Sequence, residues 1–483
     1  MKIYNTMTGK KEELSVPDNE IGMYVCGPTV YDYAHLGHAR SELVFDIIRR
    51  YLGYRGFVVH YVHNITDVDD KIIKKANESG ETADSVSKKF TEEYLKDMRG
   101  LGIKEATVYP KATEHIPEMI NLVKALVDKG FAYTTSTGVY FEVSKFKGYG
   151  KLSGQNLEQL ESGARVDVDE EKKNPIDFAL WKLAKPGEPS WDSPWGKGRP
   201  GWHIECSSMS PKYLKRLDIH GGGRDLIFPH HENEIAQSEA ASGKELARYW
   251  MHNGFINISG EKMSKSLGNI KTIRGILEKY GPGAVRLFVL NGHYRGPMNF
   301  DEDALKQAKA AFERLRNTVE LAYEINPGEG NQESGGKLLE SVEKAKEKFI
   351  EAMDDDFNTP FALAELFAIS TAINTYLSSG TVGKEALLKA LSTYLELANS
   401  VGLELEKKEE GAGKKLEQIA EVARKMGINP AGNAESILNA LIAERENARK
   451  SKNYSKSDAI RKELDAIGII LEDKKEGVRW KLK

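Results

Sequence analysis

Cysteine is scarce in this chain, which has only Cys26 and Cys206 among its 483 residues. Two cysteines so far apart do not form a disulfide framework, and a reducing compartment suits them. No apolar run is long enough to span a bilayer, and the start, MKIYNTMTGKKEE, lacks the apolar stretch of a signal peptide. The sequence therefore predicts a cytoplasmic protein without a membrane segment.

A strong charge of either sign is also missing, because the formal net charge is −3 at pH 7. With 40% hydrophobic and 29% charged residues, the composition is that of a globular protein. Its length suggests roughly two to four domains. A slightly acidic chain is not excluded from binding nucleic acid, since a local basic face is enough.

The N-terminal region has the pattern of a βαβ unit. The segment IGMYVC (21–26) predicts a buried strand, RSELVFDIIRRYLGY (40–54) has helical spacing, and FVVHYVHNIT (57–66) predicts a second strand. A strand, a helix and a strand in this order form a parallel pair. We therefore expect an α/β fold with a Rossmann-type parallel sheet in a catalytic domain.

The rest of the chain predicts an insertion and two C-terminal parts. The segments NPGEGNQESGGK (326–337) and EKKEEGAGKK (406–415) have the composition of linkers, and helical spacing fills most of the sequence between them. The predicted division is a catalytic domain at 1–325 with a connective insertion at about 106–200, a helical bundle at 338–405 and a small C-terminal domain at 416–483.

Two histidines lie between the first predicted strand and the first predicted helix, in the string AHLGHARS. His35, Gly37 and His38 would sit at a helix N-terminus, whose free amides and partial positive charge suit a phosphate. Gly37 lets a base approach the backbone, and two imidazoles can donate to phosphate oxygens as charge moves. Taken alone, the pattern is more typical of a loop with two surface histidines.

A second basic segment, EKMSKSLGN (261–269), contains Lys262 and Lys265 in a loop at 262–266. Lysines on such a loop can neutralise triphosphate charge that shifts during nucleotidyl transfer. A solvated basic turn is common, but this five-residue string is not.

Both segments resemble the signatures of one enzyme class. HLGH is similar to the HIGH signature of class I aminoacyl-tRNA synthetases, with Leu36 as a small apolar departure, and KMSKS is their second signature. The two signatures occur along this chain in the same order as in that class. Longer strings resemble cysteinyl-tRNA synthetases nearly from end to end: YVCGPTVYDYAHLGHAR, NITDVDDKI, DFALWK, GRPGWHIECS, DIHGGGRDLIFPHHENEIAQ and DDDFNTPFALAELF.

Ligand-type side chains crowd the string IFPHHENEIAQ (227–237). His230 and Glu234 are four residues apart, so a helix would place them on one face, and Pro229 suits its first turn. A lone pair of this kind is usually solvated. The same string also contains other donors, so the ligand set stays open on spacing alone.

The resemblance assigns a metal to these donors. In the family, the residues that match Cys26, Cys206, His230 and Glu234 bind one zinc ion, and thiolate, imidazole and carboxylate are ordinary zinc ligands. Both cysteines of the chain fall in this set, which favours it over packing roles for each. The alternative ligands are His220, His231 and Glu232.

The resemblance implies a ligase that activates L-cysteine with ATP to cysteinyl-adenylate, releasing diphosphate. It then transfers cysteine to the 3′ end of tRNA(Cys) and releases AMP. Zinc would select the thiol over the hydroxyl of serine, because a coordinating thiol loses its proton near neutral pH. A site with four protein ligands would have to add a fifth ligand or release one, with Glu234 the expected one. Mg²⁺ would accompany ATP.

Other site residues follow from the same resemblance. Thr66, after the second strand, and Trp202, in the string GRPGWHIECS, match positions that line the amino-acid pocket of the family. Asp67, Asp69 and Asp70 in TDVDD either bind the substrate ammonium or cap a helix.

The C-terminal segment 445–483 has twelve Lys and Arg against seven Asp and Glu, which suits a phosphate backbone. Arg479 and Trp480 are candidates for contacts with anticodon bases, which are read by stacking and by arginine. We expect a monomer.

Two other interpretations remain on sequence grounds. A cysteine-activating relative that uses an amino-sugar acceptor would not need the basic tail. A non-enzymatic tRNA-binding paralogue would be expected to lose KMSKS or a zinc ligand. Enzymes of this family also resemble enzymes that produce cysteine persulfide with pyridoxal phosphate. The spacing of the residues does not test that activity.

Overall fold

The computed structural model of the protein describes residues 1–155, 171–258, 261–262, 271–325, 327–328, 331–379, 382–406, 412–428, 434–451, 453–474 and 477–482. These residues form two compact units, Met1–Leu405 and Glu406–Lys483. The finer domain boundaries expected from the sequence remain predictions.

Strands occur in both units. In chain order they are β1 (Lys2–Asn5), β2 (Lys10–Glu13), β3 (Glu20–Val25), β4 (Val58–His63), β5 (Ala132–Thr134), β6 (Gly138–Phe141), β7 (Phe178–Leu183), β8 (Gly198–Pro200), β9 (Ile219–Gly223), β10 (Tyr249–Asn253), β11 (Ile256–Ile258), β12 (Glu261–Lys262), β13 (Met298–Phe300), β14 (Ile469–Lys474) and β15 (Gly477–Leu482).

Helices fill most of the remaining described chain. They are α1 (Leu36–Tyr54), α2 (Asp70–Ser79), α3 (Ala83–Gly100), α4 (Ile116–Asp128), α5 (Ile204–Tyr213), α6 (Glu232–Ser242), α7 (Ile273–Tyr280), α8 (Pro282–Leu290), α9 (Glu302–Glu324), α10 (Gln332–Asp354), α11 (Thr359–Leu377), α12 (Lys384–Ser400), α13 (Ala412–Lys425), α14 (Ala434–Lys450) and α15 (Tyr454–Ala466).

The centre of the first unit is a parallel sheet with the strand order β10-β9-β3-β4. Strands β3 and β4 pair from Glu20↔Val58 to Val25↔His63, and α1 connects them. The predicted βαβ unit and the predicted α/β fold are therefore confirmed. All strands of a parallel sheet direct their carboxyl ends to one edge, so the residues after β3, β4 and β9 lie at the same edge.

Helix α1 packs closely on this sheet and is buried on all sides in its middle, where every residue from Glu42 to Ile48 is buried. Leu43 and Ile48 are buried in the same core as Met23 of β3. A Cβ built on Gly221 of β9 would meet the Phe45 ring at 2.4 Å, so glycine permits the close approach of α1. This packing fixes the N-terminus of α1 beside the carboxyl edge of the sheet.

The region interpreted as an insertion contains the antiparallel sheet β5-β6-β7-β8. Its buried residues, such as Phe141 and Trp181, belong to one apolar cluster with Tyr24 of β3 and with Met209 of α5. The same core therefore supports the strand end that carries Cys26 and the helix that carries Cys206.

Two predicted linkers differ from the structure. The linker at 326–337 is wrong from Gln332, where α10 begins, because Asn331 caps the helix by accepting from the amides of Glu333 and Ser334. In the second linker, residues 407–411 lie outside the described residues, and α13 begins at Ala412.

Among the described residues, no helix has the length and apolarity that crossing a bilayer requires.

Candidate metal centre and nucleotide site

Four predicted ligands meet at the carboxyl edge of the parallel sheet. Cys26 directly follows β3, Cys206 lies on α5, His230 lies in the turn Ile227–His231, and Glu234 lies on α6. Their donor atoms all lie within 4.8 Å of one another. The sulfur atoms are 3.5 Å apart, and His230 Nε2 is 3.0 Å from Glu234 Oε1.

The spacing of these donors fits a zinc ion. Zinc bonds of about 2.0–2.3 Å in tetrahedral geometry separate ligand atoms by roughly 3.3–3.8 Å. Cys26 Sγ lies 3.3 Å from Glu234 Oε1, and Cys206 Sγ lies 3.6 Å from His230 Nε2. Both cysteines are free thiols. The donor set is therefore suited to zinc in type, and three of the four distances lie in this range, while the 3.0 Å between His230 Nε2 and Glu234 Oε1 is shorter.

A second set of donors overlaps the first. It contains Cys26, Glu234, His220 and His231. His231 Nε2 lies 3.3 Å from Cys26 Sγ, and His220 Nε2 lies 2.8 Å from Glu234 Oε2. Two of the alternative ligands thus belong to the cluster. The set with His230 has both sulfur atoms, which zinc favours, and the predicted ligand set stays a prediction.

The third alternative ligand, Glu232, has a different environment. Its carboxylate accepts hydrogen bonds from the backbone amides of Gly150, Leu152 and Ser153, at 2.8–3.1 Å. These bonds hold the segment 150–153 against α6.

The turn before α6 also differs from the sequence-based prediction. Pro229 was expected in the first turn of the helix, but the α-helix begins at Glu232. Phe228 is extended, with φ −138° and ψ 132°, which interrupts helical backbone geometry, and the Phe228–Pro229 peptide bond is cis. His230 and Glu234 nevertheless face each other, as their spacing predicts.

The charges in the cluster favour the metal-binding protonation states of Cys206 and Glu234 only. Burial lowers the pKa of His230, but Glu234 and Cys206 outweigh it and raise the pKa to about 10, so a metal would have to displace a proton from His230 as it would from Cys26. Burial raises the pKa of Cys206, but the hydrogen bond from Cys26 and the neighbouring His230 outweigh it and lower the pKa to about 6. Burial raises the pKa of Cys26 well above its ordinary value. Burial also raises the pKa of Glu234, but His220 and His230 reverse this and hold it well below the ordinary value. One thiolate and one carboxylate therefore coexist without added base.

Two histidines that the sequence did not single out support the cluster. His203 Nδ1 lies 2.9 Å from His230 Nδ1, and His252 Nε2 lies 2.8 Å from His231 Nδ1. They fix the orientation of the rings that face the donors. His203 stands three residues before Cys206, whereas His252 comes from β10, and its place shows only in the folded chain.

The two residues predicted to line the amino-acid pocket lie near the cluster. The Trp202 ring centroid is 4.4 Å from that of His230, and the residue is 38% exposed. Thr66 is buried, and its hydroxyl donates to Glu205 Oε2 at 2.6 Å. Trp202 therefore covers the cluster from the solvent side, while Thr66 contacts the residue beside Cys206.

The three aspartates of TDVDD have distinct protein partners. Asp69 caps α2 by accepting from the amide of Lys71 at 2.9 Å. Asp67 accepts from the amide of Thr113 at 2.9 Å, and Asp70 pairs with Lys182 at 2.7 Å. Of the two interpretations, helix capping describes Asp69.

The HLGH segment forms the N-terminus of α1. His35 is the N-cap, and its Nδ1 accepts from the amides of Gly37 and His38 at 3.1 and 3.4 Å. His38 Nδ1 accepts from the amide of His35 at 3.2 Å, and the two rings stack at 3.8 Å. Because both Nδ1 atoms accept, neutral rings carry their protons on Nε2, where they can donate to an anion.

Other predicted residues are described in part. Lys262 ends β12, which pairs with β11 through Asn257↔Lys262, but its side chain lies outside the described residues, as does all of Lys265. Arg479 and Trp480 belong to β15, and their side chains also lie outside the described part.

Three family models match the chain in succession. "tRNA synthetases class I (C) catalytic domain" matches residues 13–310, "DALR domain" matches 348–406, and "Cysteinyl-tRNA ligase anticodon binding domain" matches 434–480. The first of these alone covers more than half of the chain.

Relatives match over the whole length. Cysteine–tRNA ligase of Thermococcus onnurineus (strain NA1) is 51% identical over 488 residues, covering 100% of this chain and 99% of that protein. Cysteine–tRNA ligase of Carboxydothermus hydrogenoformans is 52% identical over 486 residues, covering 100% of each.

A solved structure, Mycobacterium tuberculosis methionyl-tRNA synthetase with methionyl-adenylate, has a TM-score of 0.57 at 16% identity, covering 88% of this chain and 94% of that one. This likeness concerns the fold. Together with the full-length identities, the matches show that the chain belongs to the cysteine–tRNA ligases, the class I aminoacyl-tRNA synthetases that charge tRNA(Cys) with cysteine.

Proposed function

We propose that the enzyme activates L-cysteine as cysteinyl-adenylate beside a zinc centre held by Cys26, Cys206, His230 and Glu234. The observation that carries this proposal is the convergence of these four donors next to the N-terminus of α1, at one edge of the sheet. When bound, zinc supplies a Lewis acid that favours a thiolate over the hydroxyl of serine.

The N-terminus of α1 would receive the phosphates of ATP. The Nε2 protons of His35 and His38 would be the donors for phosphate oxygens, because the amides of the first turn already donate within the protein, those of Gly37 and His38 to His35 Nδ1. Lys262 and Lys265 would neutralise charge on the phosphates, and Mg²⁺ would accompany ATP. These groups position the reactants and stabilise charge, while Gly37 allows the nucleotide to approach the backbone.

Cysteine would lie between this phosphate site and the metal cluster. Trp202 would close the pocket over the substrate, and Thr66, held by Glu205, would form its wall. A cysteine carboxylate oxygen then attacks the α-phosphorus of ATP. The bond from that phosphorus to the bridging oxygen breaks, and diphosphate leaves.

In the second step, a ribose hydroxyl at the 3′ end of tRNA(Cys) attacks the carbonyl carbon of the adenylate, and AMP leaves.

The C-terminal unit would bind the anticodon through Arg479 and Trp480. In the described part of that unit, Tyr454 is 61% exposed at the start of α15. A neighbouring cavity of about 510 Å³ is lined by Asp458, Arg461, Lys462, Asp465 and Leu471, side chains that suit stacking and polar contacts with a base. A cytoplasmic monomer would suffice for both steps.

Three measurements test this proposal. Cysteine, but not serine, should support ATP–diphosphate exchange and should label tRNA in acid-precipitable form. In protein loaded with Co²⁺ instead of zinc, added cysteine should change the visible absorption spectrum, and added serine should not. An unchanged spectrum together with normal exchange would reject thiol binding at the metal and leave the adenylate step intact.

A further inference from the structure

A buried arginine joins the HLGH helix to the strand that leads to KMSKS. Arg40 lies on α1 and is 1% exposed. Its guanidinium donates to three backbone carbonyls: those of Phe255 and Gly296 at short range, and that of Tyr294 at 3.2 Å. Its Nε is buried and has no hydrogen-bond partner among the described residues.

The charge of Arg40 is also unusual. Burial lowers its pKa to about 10, and no charged group among the described residues contributes to that shift. The side chain is therefore a cation at neutral pH that faces carbonyl dipoles. Buried guanidinium groups are normally paired with carboxylates, so an unpaired one requires another reason to be present.

The three carbonyls belong to two segments that approach closely. Phe255 directly precedes β11, and Tyr294 and Gly296 precede β13, which pairs with β11. A Cβ on Gly254 would meet the Gly296 oxygen at 2.3 Å, so the segments are in backbone contact. Arginine suits this junction because its planar fork has five donors, whereas the ammonium of lysine is a single point.

This inference rests on the proposed function. We propose that Arg40 is a positioning residue for cysteine activation, because it fixes the strand pair β11–β12 against the helix that carries His35 and His38. Strand β11 pairs with β12 through Asn257↔Lys262. Arg40 is therefore connected to the backbone of Lys262 through one short strand, β11, and its pairing with β12. Any shift of β11 moves Lys262 relative to the two histidines.

Replacing Arg40 tests this role. Arg40→Lys keeps the charge but cannot span the three carbonyls, and Arg40→Met removes the charge. Both are expected to lower kcat for ATP–diphosphate exchange by about 10²-fold, since misplacement by about 1 Å has effects of that size. The KM for cysteine and the zinc content should stay within about twofold of wild type, because Arg40 does not contact the metal cluster.

Matched variants separate positioning from stability. Ser41→Ala removes a neighbouring bond of α1, from Ser41 Oγ to Asn253 Oδ1 at 3.0 Å, and should leave exchange unchanged. Arg286→Lys alters another buried arginine, which pairs with Asp46, and should lower the melting temperature without changing kcat of the folded enzyme. If Arg40→Met fails to fold, Arg40→Lys carries the test.

The decisive measurement is a double-mutant cycle with Lys262→Ala. If Arg40 acts through the position of Lys262, Arg40→Lys should have little further effect on kcat in the Lys262→Ala background. Independent, multiplicative effects would overturn the inference, as would wild-type exchange by both Arg40 variants. Absence of cysteine-dependent exchange in the wild-type enzyme would instead reject the proposed function, so the two failures are distinguishable.

Discussion

The sulfur atoms of Cys26 and Cys206 lie 3.5 Å apart, although 180 residues separate the two cysteines in the chain. Cys206 lies on the side of His230, at 3.6 Å from its Nε2, and Cys26 lies 3.3 Å from Nε2 of His231. The cysteine pair therefore stands between two histidines that are adjacent in sequence, and only one of them can complete a compact set with both sulfurs.

Zinc content distinguishes these two histidines. Cys206→Ser and His230→Asn each remove a donor found only in the proposed set, and each should reduce bound zinc from about one ion per chain to a small fraction. His231→Asn should retain zinc, because His231 would act only as a neighbour of the ligands. Elemental analysis after dialysis against a weak chelator gives the result.

The reverse pattern would assign the ion to the alternative set. In that case His231→Asn would lose zinc and Cys206→Ser would keep it. Circular dichroism of each variant should match wild type, which shows that a lost ligand and not a lost fold explains the change.

His35 serves two purposes that substitution can separate. His35→Asn keeps a side-chain acceptor at the N-cap but removes the imidazole Nε2–H that would face phosphate. We expect kcat for ATP–diphosphate exchange to fall by about 10²-fold or more with little change in the melting temperature. His35→Ala should show the same loss of activity and, in addition, a loss of about 1 kcal/mol of stability.

An equal loss of stability in both variants would show that the asparagine does not cap α1. Normal exchange by His35→Asn would contradict a catalytic role for the imidazole.

The fold of the N-terminal region could be predicted from the sequence because local patterns decide it. Apolar, β-branched runs around Met23 and Val59 predicted β3 and β4, and helical spacing between them predicted α1. The start of α10 was not predicted, because the glycines near Gly335 gave the segment the composition of a linker, although Asn331 is a residue type that can cap a helix. The cap made by Asn331 depends on geometry that composition does not reveal.

The candidate site was predictable only where ligand-type residues are rare or closely spaced. Both cysteines and the pair His230 and Glu234 meet that condition, but their combination into one ligand set came from the resemblance to cysteinyl-tRNA synthetases and not from spacing. The role of His252 could not be predicted, because the pairing of β10 with β9 brings it to the cluster from a distant part of the chain. Sequence spacing contains no information about which strands become neighbours.

Trp202 offers a test of substrate position. Its ring lies 4.4 Å from that of His230 and is partly exposed, so a substrate bound to the cluster would contact it. Trp202→Ala should raise the KM for cysteine about 10-fold or more and leave the KM for ATP unchanged. Tyr213 is equally exposed but hydrogen-bonds His115, and Tyr213→Phe should change neither constant.

Steady-state exchange kinetics measured against each substrate give both constants. Equal increases in the two KM values after Trp202→Ala would indicate a general disturbance of the site.

Acid stability should depend on Asp46, a buried residue of α1. Its Oδ2 lies 2.7 Å from Arg286 and from Arg50, and its Oδ1 accepts from the amide of Lys104 at 3.0 Å. Burial raises the pKa of Asp46, but Arg286 and Arg50 outweigh it and hold the pKa below its ordinary value. Because the folded pKa lies below the unfolded one, the ionised carboxylate stabilises the fold above about pH 4. That contribution is lost as the pH falls through the folded pKa.

Asp46→Asn should therefore destabilise the protein by about 3–5 kcal/mol at neutral pH, since it leaves Arg286 buried without its carboxylate. The difference from wild type should shrink as the pH falls below about 4, where the wild-type carboxylate also becomes neutral. Thermal unfolding midpoints between about pH 3 and 7 measure both effects. Asp303→Asn, which breaks the exposed pair with Lys306, should leave the midpoint unchanged throughout. A constant difference between Asp46→Asn and wild type at all pH values would mean that Asp46 stabilises the fold by packing and not by its charge.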